Sequence, residues 1–151
     1  MVSEQTEQQA AQVEDAVARR EIAARVRACA DDVTRSGTQA VGYWVAPVDM
    51  GPDQLSEVVS SGFRRLAEDL AFAIEMDDVA LLVDEVVWLT RLLHVRGYDA
   101  KQWVLLTLET FEASLAAVCT SEVLTLAQPI LAAGRQAVAQ TLAALRAGPE
   151  G

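Results

Sequence analysis

Residues 79–119 read VALLVDEVVWLTRLLHVRGYDAKQWVLLTLETFEASLAAVC, and this stretch decides the fold. From Val79 to Val95 neither Gly nor Pro interrupts a run in which Leu81, Leu82, Val83, Val86, Val87, Trp88, Leu89, Leu92 and Leu93 leave a helix little polar surface. Gly97 is the residue expected just past such a helix, because it adopts the left-handed conformation that closes the last turn. Asp99 can then cap a second helix, about 100–119, which carries Val104, Leu108, Phe111, Leu115 and Val118 on one face. A connection this short predicts antiparallel packing of the two. A helix apolar nearly all round is central in its fold or gives one face to a partner chain. Val87, Trp88 and Leu92 are therefore candidate contacts of a homodimer.

Outward from this pair, helical spacing continues. Upstream, Phe63, Leu66, Ala67, Leu70 and Ile74 fall at i, i+3, i+4, i+7 and i+11 of a helix expected from near Gln54 to near Met76, with Asp77 or Asp78 able to cap the next. Further upstream, Ile22, Val26, Cys29 and Val33 form one stripe of a helix over about 7–35. The thinner stripe of Ala10, Val13 and Val17 loses phase at Arg20, so this end is expected to shift its contacts or project as an arm, with the first few residues disordered. Between these two helices Gly37, Gly42, Pro47, Gly51 and Pro52 punctuate 36–53, where Val41, Tyr43, Trp44, Val45, Val48 and Met50 also lie. A long loop this apolar is expected to pack over the bundle as a lid, with a short strand-like piece at 41–45 as an option. Downstream, Val123, Ala127, Ile130, Gly134, Val138, Leu142 and Leu145 keep helical spacing, and Pro129 is expected to kink that helix or start a new one. The whole predicts one all-α domain over 1–151, a globin-like or up-down bundle of about five helices.

Bulk composition supports this and removes several function classes. Of 151 residues 52% are hydrophobic but only 5% aromatic, so Ala, Val and Leu must fill the interior, which favours helices over sheets. A chain this long can bury roughly two-thirds of its unfolded surface. Its formal charge of -10 repels nucleic-acid phosphates and anionic lipid surfaces. No uninterrupted apolar run approaches the roughly 20 residues of a membrane helix, and the Glu- and Gln-rich start is unlike a signal peptide, so a cytoplasmic location is expected. Cys29 and Cys119 lack CxxC spacing and read as separate, reduced, buried thiols.

Few residues offer chemistry. His94, the one histidine, sits in the last turn of an apolar helix, where an imidazole suits the carbonyl end of the helix dipole. The carboxylates Glu68, Asp69, Glu75, Asp77, Asp78, Asp84 and Glu85 are concentrated enough to suggest a cation, but without Glu-x-x-His elements or a calcium-loop spacing they read as a solvated surface. Glu109 and Glu112 lie three apart in an apolar helix and could form an acid–base pair of a small-molecule enzyme, or simply its wet face. Tyr43, Trp44, Tyr98 and Trp103, with His94, could line a ligand pocket near the Arg96–Gly97 turn. No phosphate loop or nucleophile elbow is present, so no catalytic residue is assigned and a non-enzymatic role is expected.

The order of His94, a glycine turn and a long apolar helix with Trp103 resembles the haem-ligating helix of bacterial globins and sensor globins, which implies haem or another tetrapyrrole on His94. Read as one unit, FRRLAEDLAFAIEMDD (63–78), the run from Val79 to Leu115 and QPILAAG (128–134) resemble the helical regulatory domain of bacterial cobalamin-binding sensor proteins and the related non-haem, globin-like sensor domains of stress-signalling proteins. The Asp-x-His-x-x-Gly motif that ligates cobalamin is missing, so the resemblance carries over no cofactor. It implies a sensor or adaptor bundle that homodimerises and acts on a protein partner in signalling.

Overall fold

The computed structural model describes residues 2–40 and 51–148. Among them it contains five helices and no strand: α1 (Val2–Ala40), α2 (Pro52–Met76), α3 (Ala80–Val95), α4 (Ala100–Val118) and α5 (Ser121–Ala147). The all-α architecture agrees with the pattern of apolar spacing.

The caps follow the side chains that can make them. After α2, Asp77 adopts a left-handed conformation (φ 51°) and its N–H donates to the Ala73 carbonyl. Asp78 then accepts the Ala80 N–H at 2.9 Å, quieting one open donor of α3, although Val79 holds the N-cap position itself. Gly97, at φ 84°, reverses the chain after α3, and the Tyr98 N–H reaches back to the Leu93 carbonyl at 3.0 Å. Asp99 caps α4 by accepting the Gln102 N–H at 3.1 Å.

α1 is longer at both ends than its sequence suggests. Its helix starts at Val2 in place of a disordered lead, since Glu, Gln and Ala dominate residues 4–12 and all form helix readily. Residues 3–18 are exposed throughout. Contact with the bundle begins at Arg19, whose guanidinium donates to the Ile74 carbonyl at 3.3 Å and pairs with Asp77 at 3.2 Å. At the other end the helix passes through Ser36 and Gly37 to Ala40, so the break expected over 36–53 is shorter. Gly37 serves close approach and not a turn: a Cβ there would lie 2.5 Å from Cε2 of Phe63. That ring is fully buried and stacks on Phe111 with centroids 6.2 Å apart. Residues 41–50, with Tyr43, Trp44, the expected lid and the strand-like option, lie outside the described residues.

The apolar α3 is not the central helix. It buries only Leu82, Val86 and Thr90, one narrow stripe at i, i+4 and i+8, and leaves Leu81 and Trp88 44% and 53% exposed. The centre belongs to α5, which touches all four other helices and buries nine residues from Val123 to Leu142. Small side chains make this possible. Gly134 lets α3 and α4 come so close that a Cβ would sit 3.2 Å from Leu82 and 3.7 Å from Leu108. α5 also runs unbroken through Pro129. Both that proline and Thr125, whose carbonyl loses its donor, are exposed, so water can replace the missing bond.

Candidate functional site: an apolar cleft between α2 and α3

The edges of two helical faces, where the core gives way to solvent, build the site. On α2, Val58, Gly62, Arg65 and Leu66 recur at turn spacing, and on α3 Glu85, Trp88, Leu89 and Leu92 do the same. They flank a half-open cleft of about 390 Å³, floored by Val86 and by Val104, Thr107 and Leu108 of α4. This falls within the range of small-molecule sites and matches the bulk of one or two large side chains. Gly62 lines it beside open space, since a Cβ added there would meet nothing within 4 Å. At the rim stand two exposed apolar side chains, Trp88 and Val58, each 53% exposed. Patches that combine a hollow with an exposed tryptophan characterise recognition surfaces.

Polar groups gather at one end. Arg65 of α2 pairs with Glu85 of α3 at 3.1 Å, bridging the cleft walls. One turn on from Arg65, Asp69 is 7% exposed and its Oδ2 has no hydrogen-bond partner. Burial pushes its carboxyl from 3.8 up to about 6, with Glu85 and Glu68 adding repulsion and Arg65 opposing them. The acidic segment is therefore not uniformly a solvated face. Glu68 and Glu75 pair with Arg27 of α1 at 3.7 and 3.0 Å, whereas Asp69 is the buried exception. Thr107 brings no free donor to the cleft, since its hydroxyl donates to the Trp103 carbonyl at 2.7 Å.

Trp88 and Leu92, two of the residues expected at an interface, line this cleft, while Val87 turns half-buried onto the core. Of the pocket expected around Tyr43, Trp44, His94, Tyr98 and Trp103, the first two lie outside the described residues, and His94, Tyr98 and Trp103 do not line this cleft. Two residues beyond Leu92, His94 lies well round the helix from the cleft face and is exposed. Glu109 is exposed, and Glu112 pairs with Arg135 of α5 at 2.8 Å. Among the described residues no group of three or more His, Cys, Asp or Glu could hold a metal ion. No helix there is long and apolar enough to cross a membrane.

The thiols, far apart in sequence, are neighbours. Cys29 of α1 and Cys119 at the end of α4 line a smaller hollow of about 160 Å³ together with Arg25 and Val123. Both are half-buried.

Sequence reasoning missed the α2 wall of the cleft. Its only signal was the spacing of Val58, Gly62 and Leu66, which marks a face without saying what the face meets. Comparison with protein-family models, with curated proteins and with solved structures yields no match to this chain.

Proposed function

We propose that this chain is a non-catalytic regulatory module, of the sensor or adaptor kind, that works by pairing with a second copy of itself through the α2–α3 cleft. The observation that carries the reading is the position of exposed Trp88 beside a hollow lined largely with hydrocarbon. A knob and a hole on one face are what a twofold interface exchanges: each copy's Trp88 enters the other's cleft, and both contacts form at once. Tryptophan is also the side chain most often found to dominate such interfaces. The surplus apolar surface of α3, unused by its own fold, supports pairing further. A binding role is favoured over catalysis because the cleft contains neither histidine nor cysteine and its principal charged groups, Arg65 and Glu85, neutralise each other. The regulatory setting is what the sequence resemblance implies.

Sedimentation equilibrium at micromolar concentration, under reducing conditions, tests this. The wild-type chain is expected to be dimeric. Trp88→Ala, which removes the knob, and Gly62→Leu, which fills the hole, are each expected to be monomeric with unchanged helical circular dichroism. A monomeric wild type, or variants that pair as it does, contradicts the proposal.

A further inference from the structure

The hollow between α1 and the α4–α5 junction carries chemistry that pairing does not use. Cys29 of α1 and Cys119 at the end of α4 line it together. On the same side Arg25, one turn before Cys29, reaches Glu122, three residues past Cys119, at 3.5 Å. α1 and the junction are thus already clamped together beside the thiols. Each cysteine is half-buried on an open hollow, so a small oxidant can reach it.

We infer that Cys29 and Cys119 are an oxidant-sensitive pair, two free thiols in the reduced chain that hydrogen peroxide converts to one intramolecular disulfide joining α1 to the end of α4. Electrons and atoms balance in two steps. The Cys29 sulfur, deprotonated, attacks one oxygen of peroxide; the O–O bond breaks, and hydroxide leaves with the thiol's proton as water, giving a sulfenic acid. The Cys119 sulfur then attacks that sulfenic sulfur; the S–O bond breaks and a second water carries away the Cys119 proton. Two thiols lose two electrons, and one peroxide becomes two waters. The order follows from the site. Burial and the neighbouring Cys29 push the Cys119 thiol up to about 12, so it keeps its proton longer and acts second. Closing the long loop between the two cysteines restrains the unfolded chain, so the oxidised form unfolds at a higher temperature.

The test treats the full chain, fully reduced, with hydrogen peroxide and reads intact mass, free thiols after unfolding, and thermal midpoint. Expected are a mass lower by two hydrogens, loss of both thiols, a cross-linked peptide pair containing Cys29 and Cys119, and a raised midpoint, all reversed by dithiothreitol. Cys119→Ser, treated alike, is expected to gain oxygen atoms on Cys29. Oxygen added to both cysteines of the wild type with no loss of hydrogens, a disulfide between two chains, or two thiols still present after excess peroxide would each overturn the inference. Serine at either position leaves packing nearly unchanged, so folding is not at stake.

Discussion

At the scale of single residues, two positions have roles that the sequence hides. Gly37 reads as a helix breaker, yet it sits inside α1 with the Phe63 ring where its Cβ would be. Gly37→Ala should therefore lower stability by about 1–3 kcal/mol, because a stacked, fully buried ring yields poorly, and this outweighs the helix gain of roughly 0.5–1 kcal/mol. Chemical denaturation checks it, and adding Phe63→Leu should recover part of the loss. Asp69 behaves oppositely to an ordinary paired carboxylate. Its folded value is raised, to about 6 from 3.8, so folding favours its protonated form. Its contribution to stability is present below about 4 and lost as pH rises through 6. Asp69→Asn should accordingly stabilise the chain at pH 7 by roughly 1–3 kcal/mol and by nothing near pH 4. Denaturation of the pair across that range reads the difference, and an equal gain at both ends would show that the charge is not the cause.

At the scale of elements, the turn between α3 and α4 was the most legible feature, because the side chains that make it act locally. Gly97 takes the positive φ, and Asp99 accepts the Gln102 N–H. Asp99→Ala should cost about 1 kcal/mol, measurable as a lowered denaturation midpoint, since α4 then starts with an unanswered donor. What failed to be legible was tertiary. The apolar count of α3 shows how much surface it offers, but only Leu82, Val86 and Thr90 are fully buried, with Leu82 and Val86 packed against Gly134 of α5, while Val83, Val87, Leu89 and Leu93 are half-buried. The same logic extended α1 past Gly37 and carried α5 through Pro129, where exposed neighbours made a broken bond cheap to solvate. For the site, Trp88 and Leu92 stood out as surplus hydrocarbon, whereas the α2 wall required knowing that Val58 and Gly62 lie opposite them. His94 and Trp103 drew attention by residue type, and neither lines the cleft.

At the scale of the whole molecule, two forces set how copies would meet. Hydrocarbon at Trp88, Val58 and the cleft drives association, and a formal charge of -10 on each chain resists it. Pairing should therefore tighten as salt rises from low to moderate concentration, because screening removes more repulsion than attraction. The Arg65–Glu85 pair, internal to each copy, does not reverse that sign. An oxidised Cys29–Cys119 link lies in a separate hollow and shares no lining residue with the cleft.

The most direct measurement of the exchange is a mixing experiment. Trp88→Ala keeps its hole and lacks a knob; Gly62→Leu keeps its knob and lacks a hole. Each alone should sediment as a monomer, and an equal mixture should form a heterodimer, since one knob finds one open cleft and the opposite contact is merely empty. A mixture that stays monomeric, or either variant dimeric on its own, would contradict the knob-and-hole interface.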